Sequence, residues 1–105
     1  VEDELREIKM ARERAEEEKR EEIKGIKQTL EEVYTEAVAL GEEIEILETE
    51  GKDVKKAKIR YEKALELLDE AENALKSGKE IMAKAEIKSA ERMIQMARNE
   101  LLKLQ

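Results

Sequence analysis

Apolar residues return every three or four positions along this chain, in three stripes separated by two glycines. The first stripe runs through Ile23, Ile26, Leu30, Val33, Ala37, Leu40, Ile44 and Leu47. The second runs through Val54, Ala57, Tyr61, Ala64, Leu68, Ala71 and Leu75, and the third through Ala83, Ile87, Ala90, Ile94, Ala97, Leu101 and Leu104. Steps of three and four are the seam spacing of packed α-helices, whereas a half-buried strand would alternate. Gly51 and Gly78 lie between the stripes, where a left-handed residue would end a helix. The pattern predicts helices over about 2–50, 53–77 and 79–104, with Asp53 capping the second. A strict seven-residue repeat also implies left-handed supercoiling.

The connections are short, so neighbouring helices run antiparallel. Facing residues of an antiparallel pair have numbers with a constant total. For the first two helices that total is 101: Leu47 with Val54, Leu40 with Tyr61, Ala37 with Ala64, Ile26 with Leu75. Its midpoint falls at Gly51. For the second and third helices the total is 154 or 155, as for Ala71 with Ala83, Ala64 with Ala90, Ala57 with Ala97, and Leu68 with Ile87. That midpoint falls at Ser77. Two seven-residue repeats can always be aligned in some register; the information lies in both midpoints landing on a turn. Alanine facing alanine would let the last two helices approach toward the lower end of the ~8–10 Å range.

The expected fold is all-α: an antiparallel three-helix coiled-coil bundle over residues 23–105, with a long first helix projecting beyond the hairpin. Ile23 is the last first-helix residue with a partner in that register. Residues 1–22 then form a helical extension about 33 Å long, with nothing in the same chain to pack on. Fourteen of its first 20 residues are charged. Its apolar members are Val1, Leu5, Ile8, Met10, Ala11 and Ala15, and all but Met10 share one thin stripe. The bundle seam, traced back from Ile23, passes instead through Lys19, Glu16, Arg12 and Lys9, so the two stripes are offset. Pairs at helical spacing (Glu2 with Arg6, Lys9 with Glu13, Arg12 with Glu16, Glu16 with Arg20) support an exposed helix by ~0.2–0.5 kcal/mol each.

Composition agrees with this reading and narrows the partners. Charged residues make up 47% of the 105 positions, aromatics 2%, and there is no proline to interrupt a helix. A disordered chain could match the charge content but would not keep three heptad stripes. The net charge of −7 disfavours nucleic-acid backbones and anionic membrane surfaces. No apolar run approaches the ~20 residues of a membrane span, so no membrane insertion is expected. The start, Val1-Glu2-Asp3-Glu4, has neither the basic nor the apolar part of a signal peptide, which fits a cytoplasmic setting. The lack of an initiator methionine suggests a processed or excised piece, or removal of a tag. High Glu and Lys with little Asn or Gln suits a hyperthermophile or a designed protein. Gly25 and Gly41 inside a helix, at ~1 kcal/mol each, tip the reading toward a natural thermophile.

Chemistry-bearing constellations are few. With no cysteine and no histidine, thiol and imidazole catalysis and the commonest metal ligands are excluded. Ser77 reads as turn punctuation, and Ser89 has no base to activate it. Spacings such as Glu13/Glu16, Glu18/Glu21 and Glu42/Glu45 read as solvated surface, because di-metal bundles place glutamates at core positions with histidine partners. Gly51-Lys52 and Ser77-Gly78-Lys79 are too short for a phosphate loop. No enzyme activity and no cofactor are expected. Met82, Met93 and Met96 flank the third stripe and read as core widening, since each bundle helix touches two neighbours, or as an adaptable surface. Tyr34 and Val38 lie off the first seam and extend a partner surface in the alternative reading.

In outline, 105 residues in three heptad helices resemble a spectrin-type three-helix coiled coil, without the tryptophan usual in the first helix of such repeats. The stretch from Gly51 to Ala90, with Asp53, spaced alanines, Leu67-Leu68 and the Gly78 turn, looks like helical hairpins of archaeal proteins of unassigned role. That likeness covers under half of the chain, implies a scaffold and carries over no functional residue. The expected function is a non-enzymatic structural or protein-interaction module. It would dimerise with itself, or join another coiled-coil protein or a longer rod, through Leu5, Ile8, Met10, Ala11 and Ala15. A regulatory or small-ligand-binding bundle is the alternative.

Overall fold

The computed structural model describes residues 2–105 as three helices, α1 (Glu2–Thr49), α2 (Lys55–Lys76) and α3 (Glu80–Lys103), with no strand among the described residues. Val1, the first member of the extension's stripe, lies outside the described residues. The architecture is an all-α three-helix bundle with a long first helix.

Two turns of the same construction reverse the chain. Gly51 (φ +86°) and Gly78 (φ +76°) hold the left-handed conformation that a Cβ would strain. After α1, the Gly51 N–H donates to the Glu48 carbonyl (3.0 Å) and the Lys52 N–H to the Leu47 carbonyl (3.0 Å). After α2, the Gly78 N–H donates to Leu75 (3.0 Å) and the Lys79 N–H to Ala74 (2.8 Å). Each pair is a Schellman motif, which satisfies carbonyls that a helix end would otherwise leave unpaired. The start of α2 differs by a residue from the sequence expectation. Asp53 Oδ1 accepts from the Lys55 N–H (3.2 Å), but the capping position itself holds Val54, whose side chain is buried. The connection thus combines a polar local bond with a hydrophobic plug.

The three seams meet in one core. Of the 22 stripe residues, 18 are buried, and Ile23, Leu47, Tyr61 and Leu104 are half-buried. Ala74 is the one buried residue outside the stripes, beside the Gly78 turn. No polar residue is fully buried among the described residues, though at the edge of the core Arg60 Nε, Glu80 Oε1 and Glu86 Oε2 are shielded from water without a partner. Cross-helix contacts fix the register close to the expected one. Tyr34 meets Asp69 and Gly41 meets Tyr61, totals of 103 and 102, while Arg60 meets Met96, a total of 156.

The closest pairing is α2 with α3. Ala64, Ala71, Ala83, Ala90 and Ala97 are fully buried and Ala57 nearly so. With only a methyl at these positions, the two backbones approach closely, and the larger Leu68, Ile87 and Ile94 share one buried cluster with the α1 seam. Gly41 has a comparable reason. A Cβ built there would meet Tyr61 Oη at 2.6 Å and Cζ at 2.8 Å, so the bare helix backbone is the floor on which the Tyr61 ring rests. At Gly25 a Cβ would meet nothing within 4 Å.

The molecule measures 75 × 17 × 16 Å. At 1.5 Å per residue the 48 residues of α1 span about 72 Å, so the first helix alone sets the long dimension.

Two predictions follow from the packing. Ala64→Leu or Ala90→Leu wedges α2 from α3 and costs about 1–3 kcal/mol, read by chemical denaturation; unchanged stability would show that the alanines do not face each other. Gly25→Ala gains up to ~1 kcal/mol from helix propensity. Gly41→Ala gains nothing alone because Tyr61 must move, and recovers the gain in a Tyr61→Leu background. A melting-temperature series of the four variants checks this.

Candidate functional site

The extension is the part of the chain that the bundle leaves uncovered. Residues 2–22 are all exposed, and burial begins with half-buried Ile23 and buried Ile26. Their helicity is continuous with a nucleus already paid for by the bundled half of α1, since adding turns to an existing helix is far easier than starting one. Among the ion pairs expected along it, Glu16 with Arg20 is formed at 3.8 Å, with both side chains mostly in water. A pair so exposed adds little.

Leu5 is 63% exposed and Ile8 54%, and Ala11 and Ala15 lie open on the same stripe. Met10 is 52% exposed but sits about 200° round the helix from Ile8, on the opposite face. The stripe therefore brings together Leu5, Ile8, Ala11 and Ala15, and Met10 faces elsewhere.

At the base of the extension a groove of about 710 Å³ runs between α1 and α3. Its α1 wall is Glu22, Gly25, Ile26 and Thr29; its α3 wall includes Ile81, Ala85 and Ile87, with Lys84 and Lys88 on the rim. Lys84 Nζ pairs with Glu22 across it at 3.3 Å. Ile81 is 86% exposed, the most exposed large apolar side chain described. Sequence reasoning missed this groove. Its signal was present as two small residues, Gly25 and Ala85, beside an off-seam isoleucine, but pairing them needs the α1/α3 register, which no turn connects directly.

The other expected surface residues do not form one site. Met82 is 50% exposed near the Gly78 turn and so does not widen the core. Met93 packs against the core, and half-buried Met96 accepts from Arg60 Nη1 at 3.5 Å. Val38 is 55% exposed, but Tyr34 is half-buried with its hydroxyl donating to Asp69 across the α1/α2 interface. Burial, then the hydrogen bond to Asp69, then the charges of Asp69 and Glu72 push the Tyr34 phenol up to about 12. Burial, followed by the nearby Glu70, raises the Glu86 carboxyl above its ordinary range. Both are interfacial consequences of packing an acidic chain. Among the described residues no three Asp or Glu side chains converge on a metal-sized site, and no helix is long and apolar enough to cross a membrane.

Comparison with family models, with curated proteins and with solved structures finds no match.

The Tyr34 pair gives a pH test. Its folded pKa lies above the ordinary ~10, so above that value the unfolded chain releases a proton that the folded chain keeps. Stability is therefore lost as pH climbs from about 10 toward 12. Tyr34→Phe costs about 0.5–1.5 kcal/mol at pH 8 by denaturant unfolding, and its stability falls less than the wild type's between pH 9 and 11.5.

Proposed function

We infer that the chain is a non-enzymatic structural and protein-interaction module, with a three-helix bundle as its rigid body and the extension of α1 as its joining element. The observation that carries this is the open stripe of Leu5, Ile8, Ala11 and Ala15 on a stretch of α1 that is exposed throughout. Apolar side chains aligned along one helix face are the seam a second helix covers, and each buried one contributes ~1.5–3 kcal/mol for a leucine or isoleucine. A second copy of the chain is the first candidate, because it brings the same stripe at the same concentration. The Glu- and Lys-rich, Asn- and Gln-poor composition supports a thermophilic source. The ligand-binding alternative draws less support: the groove between α1 and α3 is open to the surface with a charged rim, whereas small-molecule sites enclose most of their ligand.

Light scattering of the purified chain is expected to give a dimer. The Leu5→Asp/Ile8→Asp double variant is expected to give a monomer with nearly unchanged helical circular dichroism. A wild type that stays monomeric at high concentration overturns self-association.

A further inference from the structure

We propose that the groove between α1 and α3 receives the extension of a second copy, reciprocally, so that two chains pair antiparallel about a two-fold axis at Ala15. This rests on the self-association inferred above and gives it an address.

The first support is continuity of one helix face. Ile8, Ala15, Glu22 and Thr29 are seven residues apart, so in a supercoiled helix they line one side. Glu22 and Thr29 belong to the α1 wall of the groove. The open stripe of the extension thus runs straight into the groove, and a helix lying along the stripe also lies in the groove.

The second support is reach. With the axis at Ala15, residue 8 of one chain comes level with residue 22 of the other, residue 5 with 25, and residue 2 with 28. Glu22, Gly25 and Ile26 of the α1 wall thus come level with Ile8, Leu5 and Glu4 of the second copy. Leu5 and Ile8 arrive where Gly25 leaves room and where Ile81 and Ala85 offer apolar cover. One helix laid between two others makes a local four-helix arrangement, in which 86%-exposed Ile81 finds a partner.

The third support is charge, which comes in alternating blocks along α1. Residues 2–7 carry a net −3 (Glu2, Asp3, Glu4 and Glu7 against Arg6). Residues 9–14 carry +2 (Lys9, Arg12 and Arg14 against Glu13). Residues 16–21 carry −2 (Glu16, Glu17, Glu18 and Glu21 against Lys19 and Arg20), and residues 23–28 carry +2 (Lys24 and Lys27). An antiparallel pair centred on Ala15 sets 9–14 against 16–21 and 2–7 against 23–28, opposite signs in each case and twice over by symmetry. The groove itself is balanced, Lys84 and Lys88 against Glu22 and Glu91 with Lys84 paired to Glu22, so the selection rests on the blocks along α1. A parallel pair sets every block on its own sign. An axis near residue 12 faces the basic block with itself, and one near 19 does the same for the acidic block. Like-charge apposition of this kind disfavours those registers.

The chain has no cysteine, so single thiols report the register without background. Three variants, Arg12→Cys, Ala15→Cys and Lys19→Cys, are oxidised with glutathione and read by non-reducing electrophoresis. Only Ala15→Cys is expected to form a linked dimer, since displacements of three residues for Arg12 and four for Lys19 in each chain separate those thiols by about 9 and about 12 Å along the axis, beyond disulfide reach. Linkage through residue 12 or 19, or through all three, overturns the register while leaving self-association standing. A monomer by light scattering overturns both. The groove is tested separately by Gly25→Gln. That variant raises the thermal stability of the monomer through helix propensity yet weakens dimerisation about tenfold or more by filling the groove. An unchanged dissociation constant overturns the groove as the docking site.

Discussion

A helix of 48 residues is covered by helices of 22 and 24, and from this mismatch the rest of the molecule follows. Two antiparallel returns cover half of α1 and no more, because each reversal is fixed by a glycine that cannot slide without moving a whole seam. Gly51 and Gly78 close the same pair of backbone hydrogen bonds, so both reversals are set by local backbone geometry. What lies beyond Ile23 is helical by continuation and uncovered by necessity. The charged surface of the extension is what an isolated helix needs to stay in water, and its few apolar residues stand out because a purely solvated helix has no use for a stripe.

Within the bundle the helices divide labour by side-chain size. The α2/α3 hairpin is held by close approach of alanines, which gain from dispersion along two backbones rather than from large buried side chains. The larger residues of that hairpin, Leu68, Ile87 and Ile94, fill the common core with Leu30, Leu40 and Ile44 of the α1 seam. This asymmetry makes the hairpin the tighter unit and α1 the lid upon it. Tyr61 marks the exception. It is the one aromatic in a seam, and the space it needs comes from the glycine opposite, Gly41, at the cost of helix propensity.

The seams, both reversals, the close alanine hairpin and the projecting arm were legible in sequence, because each is a property of spacing along one helix or of one residue's backbone. Features that depend on the relative rotation of two helices were not. Nothing in spacing separates Tyr34 as a surface residue from Tyr34 as the donor to Asp69, or shows that Gly41 is a seat for Tyr61 while Gly25 opens onto a groove. Asp53 was recognisable as a helix-start residue. Its bond to Lys55 and the placing of buried Val54 at the cap emerge only when the plug meets the core. Of the candidate site, the stripe was readable and its second wall was not, since that wall belongs to α3.

A chain of net charge −7 meets its own copy at −14 in total, and at first sight that argues against any homodimer. The objection fails on length scale. At physiological ionic strength the Debye length is about 8 Å, so the overall charge of bodies whose centres lie tens of ångströms apart is largely screened. Two paired helices sit ~8–10 Å apart, close enough for facing blocks to act on one another. Net charge therefore governs solubility and the rate of encounter, while the order of signs along α1 governs which encounter persists. The blocks alternate at about seven residues, the spacing of the heptad itself, so a slip of one heptad turns each attraction into a repulsion. The apolar contribution to that selectivity comes from the groove, which seats Leu5 and Ile8 at Gly25 and Ala85 in one register, and the charge order adds to it. In the proposed pair the oily residues give the reason to associate, and the groove and the charged blocks together set the register.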